Sequence, residues 1–135
     1  MNEAPARSTR PLILCIDDDP AIIAALQSRF LPYDLDFATA YCGAQGIWRA
    51  ITDRPDLIVT DLCMPNGNGE SVVECLRKRD DTRAIPIIVF TGTRQQDARS
   101  RMLSLGVEGY VQKPAAFNSI LNLAEKFVAL RAAAR

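Results

Sequence analysis

Short apolar runs alternate along this chain with segments in which apolar residues recur at helical spacing. The runs predict five strands, at 12–16, 35–40, 57–60, 85–90 and 107–111. Helical spacing in the intervening segments and after the last run predicts five helices. The middle strands are apolar throughout, as expected where both faces of a sheet are covered. The pattern therefore predicts an α/β fold with a doubly wound, five-stranded parallel sheet and right-handed crossovers.

Local signals place some of the element boundaries. Asp19 followed by Pro20 predicts the start of the first helix, with the carboxylate as N-cap. The segment 64–69 is rich in turn-forming residues and predicts a loop after the third strand. The last helix is expected to extend to Val128, because apolar residues continue on one face up to that position.

Length and charge exclude several classes of protein. A chain of 135 residues fits one domain, expected at 11–131, with flexible tails at 1–10 and 132–135. Its 16 basic and 16 acidic residues balance, so there is no general field to attract nucleic acid or an anionic membrane. The charged run 77–81 is interpreted as a solvated helix end. No run has the length of a membrane span or the apolar core of a signal peptide, so we expect a cytoplasmic protein.

Two residue types narrow the chemistry further. The four cysteines show no C-x-x-C spacing, and three lie in apolar segments, which favours reduced packing residues over disulfides or zinc ligands. Histidine is absent. This chain therefore contains no Ser–His or Cys–His catalytic pair, no histidine metal ligand and no phosphohistidine.

Five polar residues close four of the predicted strands. They are Asp17 and Asp18 after the first strand, Asp61 after the third, Thr91 after the fourth and Lys113 after the fifth. Because the carboxyl ends of parallel strands share one edge, we expect these side chains to converge. Three carboxylates, a hydroxyl and a lysine suit a hard cation such as Mg2+ and a phosphoryl group.

Each of these residues also has a simpler structural interpretation. Asp19 is best explained as a helix cap, and Asp61 could cap a strand end. Thr91 alone could belong to a turn, and Lys113 before a proline could be solvated. The fixed order of acid pair, acid, hydroxyl and lysine favours a common site instead.

The motifs around these positions resemble the receiver domain of two-component response regulators, of the chemotaxis-regulator type. The resemblance covers residues 11–131 and implies a flavodoxin-like fold with strand order 2-1-3-4-5 and five helices. It also implies a site where the strand order reverses. The matching segments are Ile16-Asp17-Asp18-Asp19-Pro20, Thr60-Asp61-Leu62-Cys63-Met64-Pro65, Phe90-Thr91-Gly92 and Gly109-Tyr110-Val111-Gln112-Lys113-Pro114.

The resemblance implies a role for each acid at the site. Asp61 would be the phosphoacceptor. Asp18 and Asp61 would hold Mg2+, with Asp17 acting partly through water and Cys63 through its backbone carbonyl.

The resemblance also implies a switch. Thr91 would hydrogen-bond the phosphoryl oxygens, Lys113 would pair with them, and Tyr110 would turn inward as Thr91 moves. The bond between Lys113 and Pro114 is expected to be cis.

The leading hypothesis is a phosphoacceptor domain of a phosphorelay. Since the chain has no histidine, the donor must be a separate sensor histidine kinase or histidine phosphotransferase. Phosphorylation would switch the face formed by the fourth helix, fifth strand and fifth helix, at 94–131, for a downstream protein partner. That face could also support a homodimer; direct nucleic-acid binding is not expected. The domain would not be an enzyme beyond self-catalysed phosphotransfer and autodephosphorylation.

Two alternatives stay open at this point. The same fold could serve as a constitutive interaction domain that is never phosphorylated. A Mg2+-dependent phosphohydrolase with Asp61 as nucleophile is disfavoured, because such enzymes usually carry an acid two residues later, where this chain has Cys63.

Overall fold

The computed structural model describes residues 10–64, 67–114 and 117–134. Its main sheet has five parallel strands in the order β2-β1-β3-β4-β5, which confirms the predicted flavodoxin-like arrangement. The strands are β1 (Leu12–Ile16), β2 (Asp36–Ala40), β3 (Leu57–Thr60), β4 (Ile87–Thr91) and β5 (Gly109–Gln112).

Helices cover both faces of the sheet. They are α1 (Pro20–Phe30), α2 (Gly43–Asp53), α3 (Gly69–Lys78), α4 (Ala98–Ser104) and α5 (Phe117–Ala124). Asp19 caps α1 as predicted, because its side chain accepts a hydrogen bond of 2.9 Å from the Ala21 N–H.

The core is divided by the sheet into two clusters. In β1, Ile13 and Cys15 pack with α1 and α5, whereas Leu14 and Ile16 pack with α2 and α3. Successive strand residues thus point to opposite faces, and every residue of β3 and β4 is buried. This double burial explains the uninterrupted apolar runs of the middle strands.

The strand register brings the predicted site residues to one edge. Ile16 lies opposite Thr60, and Thr91 lies opposite Gln112. The hydrogen-bond ladder continues beyond the strands, since the Asp61 N–H donates to the Ile16 carbonyl at 2.9 Å. At the far side of the site the Lys113 N–H donates to the Thr91 carbonyl at 2.7 Å.

Three strands have bounds that differ from those predicted. β2 begins at Asp36 instead of residue 35, β4 runs from Ile87 to Thr91 instead of 85–90, and β5 runs from Gly109 to Gln112 instead of 107–111. The early residues of these runs are apolar but belong to turns. The Ile85 N–H donates to Thr82, and the Val107 N–H donates to Met102 at the end of α4.

Two further segments were predicted incorrectly. The segment predicted as a loop contains an antiparallel ribbon of Cys63–Met64 and Gly67–Asn68. The last helix ends at Ala124 instead of Val128, because the Lys126 and Phe127 N–H groups bond three residues back, in tighter turns. Val128 is nevertheless buried. Its apolar side chain therefore indicated a buried position, but not that the helix continues to it.

The charged run at 77–81 is not uniformly solvated. The Arg77 side chain is only 12% exposed and pairs with Glu108 at 2.8 Å. Lys78, Arg79 and Asp80 are exposed, as predicted. All four cysteines carry free thiols, but only Cys15 is buried; Cys42 and Cys63 are exposed.

The ends of the chain lie partly outside the described residues. Arg10 pairs with Asp34 at 3.0 Å and with Asp36 at 3.4 Å, and Ala132 forms a bridge with Tyr33. The remainder of the predicted first tail, residues 1–9, is not described, so the domain boundaries stay a prediction. Within the described ranges no helix is both long and apolar enough to cross a membrane.

Candidate functional site

Three carboxylates meet at the carboxyl edge of the sheet. Asp17, Asp18 and Asp61 each place a carboxylate oxygen within 4.8 Å of the others. Asp17 and Asp61 are buried, with 2% and 4% of their surface exposed, and Asp18 faces solvent. The cluster therefore has a buried floor and an open side.

Asp61 is held by the backbone that follows it. Its Oδ1 accepts hydrogen bonds from the N–H groups of Leu62 at 2.7 Å and Cys63 at 3.0 Å. This leaves Oδ2 to face Lys113, whose Nζ lies 3.3 Å away. The two oxygens are thus distinguished, one fixed by amides and one turned toward the cation.

A close backbone approach holds the segment that carries these amides. The Gly69 N–H donates to the Leu62 carbonyl at 3.2 Å, at the start of α3. A Cβ on Gly69 would lie 2.4 Å from the Leu62 Cα, closer than atoms tolerate. Glycine at this position therefore allows α3 to begin directly against the segment beside Asp61.

Asp17, which is buried, forms an ion pair with the half-buried Lys113. Asp17 accepts from the Asp19 N–H through Oδ1 at 2.9 Å and from Lys113 Nζ through Oδ2 at 2.9 Å. Burial raises the pKa of Asp17 above its usual value, although both hydrogen bonds oppose the rise. Burial alone lowers the pKa of Lys113, but the hydrogen bond to Asp17 and the charge of Asp61 outweigh it, so the net pKa is raised.

Lys113 is thus placed between the acids of the first and third strands. Its Nζ also lies 5.2 Å from the centroid of the Phe90 ring, a cation–π distance. The peptide bond to Pro114 is cis, as predicted.

Thr91 is the last residue of β4 and not, as predicted, the first residue after it. Its side chain is fully buried, and its Oγ1 accepts a hydrogen bond of 3.2 Å from the Thr93 N–H. The Sγ of Cys63 lies 3.6 Å from the same oxygen. The structure therefore brings the Cys63 side chain to the site, where the sequence pointed only to its carbonyl.

Tyr110 lies beside α4, on the α2–α3–α4 side of the sheet. It is half-buried against that part of the core, and burial raises its pKa. The Arg99 guanidinium lies 5.6 Å from the centroid of its ring. The predicted switch residue is therefore in contact with the helix that a switch would have to move.

Sequence reasoning missed one ion pair on this side of the molecule. The Arg101 guanidinium binds both carboxylate oxygens of Glu70, at 2.7 and 2.8 Å. The hydrogen bond from Arg101 lowers the pKa of Glu70. No local pattern joins these two residues, because they lie 31 positions apart on different helices.

The geometry suits a small hard cation and an incoming anion. Every side-chain atom that the acid cluster offers to a metal is a carboxylate oxygen, the ligand type that Mg2+ prefers. The open side at Asp18 leaves room for water ligands. Lys113 and the buried Thr91 hydroxyl supply the groups that commonly bind a phosphoryl group. The residues present therefore fit Mg2+ together with a phosphoryl group.

A family model described as response regulator receiver domain matches residues 13–125. This chain belongs to the response regulator receiver domain family. Receiver domains are signalling domains of two-component systems. They are phosphorylated, bind Mg2+ at a cluster of aspartates, and interact with histidine kinases and downstream effectors.

Curated relatives support the assignment. The chain is 36% identical over 108 residues to hybrid signal transduction histidine kinase D of Dictyostelium discoideum, a match that covers 78% of this chain and 7% of that protein. It is 36% identical over 106 residues to the transcriptional regulatory protein PrrA of Mycobacterium tuberculosis, covering 78% of this chain and 45% of that protein. The receiver domain thus spans less than half the length of these relatives.

Solved structures share the fold. A CheY-like receiver domain protein from Methanospirillum hungatei superposes with a TM-score of 0.81 at 20% identity, covering 87% of this chain and 93% of that one. Chemotaxis protein CheY4 of Vibrio cholerae superposes with a TM-score of 0.79 at 21% identity, covering 89% and 100%.

Proposed function

We propose that Asp61 accepts a phosphoryl group from a phosphohistidine on a separate protein. The observation that carries the proposal is the buried Asp61 carboxylate, with one oxygen fixed by two amides and the other facing Lys113. Two further acids and a buried hydroxyl surround it. This arrangement presents one oxygen to an incoming phosphorus atom and places positive charge beside it.

In the proposed step the free oxygen of Asp61 forms a bond to phosphorus as the phosphorus–nitrogen bond of the phosphohistidine breaks. The electron pair of that bond returns to the imidazole. Lys113 offsets negative charge on the transferred group, and the Thr91 hydroxyl donates a hydrogen bond to one of its oxygens. The chain contributes positioning and electrostatics. In autodephosphorylation water would attack the phosphorus atom, break its bond to the Asp61 oxygen and release inorganic phosphate.

Asp17, Asp18 and Asp61, with the backbone carbonyl of Cys63, are the residues proposed to hold Mg2+. When bound there, Mg2+ neutralises charge that develops on the phosphoryl oxygens. Asp18 is the most accessible of the three acids and the natural entry point for the ion.

These 135 residues contain no histidine, so the phosphohistidine must lie outside them. We propose a sensor histidine kinase or a histidine phosphotransferase as donor. Phosphorylation would then change the α4-β5-α5 face, through Thr91 and Tyr110, for a downstream protein partner or a second copy of the domain. The relatives include a hybrid histidine kinase and transcriptional regulators, so a phosphorelay is the setting that we propose.

The test is labelling by acetyl phosphate, followed by intact mass. The parent is expected to gain one phosphoryl group in Mg2+ and none in EDTA, and Asp61→Asn is expected to lose the label completely. Asp19→Asn is the matched control, because it removes an acid from the same run yet keeps a capping side chain. Equal labelling of Asp61→Asn would refute the assignment. Absence of Mg2+-dependent labelling would favour a constitutive interaction domain.

A further inference from the structure

Two arginine side chains tie helix α4 to α3, one from the middle of α4 and one that binds just after its C-terminal end. Glu70 and Arg77 lie seven positions apart on α3, about two helical turns, and so share one side of that helix. Glu70 binds Arg101 of α4, and Arg77 binds the backbone that follows α4. The two ties differ in strength and in exposure to water.

The tie at the C-terminal end of α4 is embedded. The Arg77 guanidinium donates to the carbonyls of Leu105 at 3.1 Å and Gly106 at 3.0 Å. It also donates to Ile85 at 2.7 Å and to the carboxylate of Glu108 at 2.8 Å. A planar donor with this many fixed acceptors, and only 12% of its side chain exposed, holds this end of α4 firmly.

The tie at the middle of α4 is more open. Arg101 forms a bidentate pair with Glu70, and its own side chain is 47% exposed, against 8% for Glu70. A third nitrogen of the same guanidinium donates to the Gln96 carbonyl at 3.1 Å. Arg101 therefore joins α3 to the loop that leads into α4.

Hydrogen bonds connect that loop to Thr91. The Thr93 N–H donates to the Thr91 hydroxyl at 3.2 Å, and the Gln95 N–H donates to the Thr93 hydroxyl at 3.3 Å. Gln96 comes next and is bonded to Arg101. A displacement of Thr91 is thus transmitted along three consecutive polar contacts to the guanidinium that binds Glu70.

We infer that the Glu70–Arg101 pair is a latch that holds α4 and the loop before it in the unphosphorylated domain. Movement of Thr91 toward a phosphoryl group releases it, and α4 then pivots about the end held by Arg77. This inference rests on the proposed phosphorylation of Asp61. It assigns to this chain an autoinhibitory contact remote from the acid cluster.

The energetic consequence follows from linkage. A contact made in one state and lost in the other favours the first state, so its removal shifts the population toward the second. The equilibrium constant for phosphorylation, which favours the released state, then rises by the same factor. The labelling rate rises with the population of the released state, which is the state competent for the reaction. Water can replace the lost partner of the half-exposed Arg101, and it must also reach the Glu70 carboxylate, whose side chain is 8% exposed, as α4 moves away. The embedded acceptors of Arg77 would be left unpaired.

The first measurement is amide hydrogen exchange in the unphosphorylated full chain. Glu70→Gln and Arg101→Gln are expected to raise exchange about threefold to tenfold at 98–102 and to leave 105–109 unchanged. Arg49→Gln is the matched control, since Arg49 is a half-exposed arginine in a helical ion pair with Asp53 on α2. Exchange at 98–102 equal to that of the control would overturn the latch, as would an equal rise at 105–109.

The second measurement is the rate of acetyl phosphate labelling in Mg2+. Glu70→Gln and Arg101→Gln are each expected to label about threefold to tenfold faster than the parent, and the double variant no faster than either single one. Arg101→Lys keeps the charge without the bidentate fork and should fall between Arg101→Gln and the parent. Rates equal to that of Arg49→Gln would refute the coupling.

The two measurements separate this inference from the function on which it rests. If the parent takes up no phosphoryl group, the proposed function and the coupling to it are wrong, and exchange still decides whether Glu70 holds α4. If the parent labels normally but the variants neither exchange nor label faster, only the latch is wrong.

Discussion

Both sides of the sheet have an apolar core, but helix α4 is held differently from α1 and α5 on the opposite side. On the α1–α5 side the contacts are apolar and aromatic, with ring centroids of Phe30 and Phe37 at 6.0 Å and of Phe90 and Phe117 at 5.8 Å. On the other side, α4 buries only Ala98 and Met102 among its described residues and is held largely by the guanidinium groups of two arginines.

The difference separates a fixed scaffold from a movable element. Apolar burial is lost all at once if a helix leaves the sheet, because no other partner replaces it. A hydrogen bond from a half-exposed guanidinium can be exchanged for one to water at little net cost. Helix α4 is therefore the element that can change position without unfolding the domain.

The largest expected effect lies on the apolar side. Phe30→Ala should destabilise the domain by about 3–5 kcal/mol in urea unfolding, because it removes a fully buried ring from the α1–α5 cluster. Acetyl phosphate labelling per folded molecule should stay at the parent rate. Leu31→Ala removes a neighbouring side chain that is 75% exposed and should change stability little. A large change in labelling by Phe30→Ala would show that this side is not a passive scaffold.

A smaller loss is expected at the embedded arginine. Arg77→Gln should cost about 2–3 kcal/mol of unfolding free energy, because it leaves several carbonyl groups without a charged donor. Lys78→Gln, an exposed neighbour on the same helix, should stay within about 0.5 kcal/mol of the parent. Equal effects of the two substitutions would contradict the difference between an embedded and a solvated position.

The smallest effect is expected at Glu70 and depends on pH. The pKa of Glu70 is lowered in the fold, so the pair stabilises the protein above the unfolded-state pKa of about 4.3. That stabilisation is lost as pH falls through the lower pKa of the folded state. The difference in unfolding free energy between parent and Glu70→Gln, about 1 kcal/mol at neutral pH, should therefore shrink below pH 4.3. A difference that grows on acidification would show that burial, and not Arg101, governs Glu70.

The fold could be predicted from the sequence because local composition marks each strand. Apolar runs and helical spacing define each element, and parallel topology then follows from alternation. The same topology allowed us to predict that Asp17, Asp61 and Lys113 converge, because each residue directly follows a strand. These parts needed no knowledge of tertiary contacts.

Most of the contacts that escaped prediction join residues far apart in the sequence. Arg77 looked solvated beside its charged neighbours, but its acceptors at Ile85, Leu105 and Gly106 reach it only in the folded chain. Glu70 likewise meets its partner on another helix. The last helix ended early because its final turn tightened, a backbone choice that leaves the apolar pattern intact.

Lys113 has one more consequence, for how the protein matures. Its ammonium lies 2.9 and 3.3 Å from two buried aspartates, offsets one of their two negative charges, and so acts as a built-in counterion. A newly synthesised chain can complete its core without waiting for a divalent ion. We therefore expect scarcity of magnesium to limit signalling by this domain long before it limits the amount of folded protein.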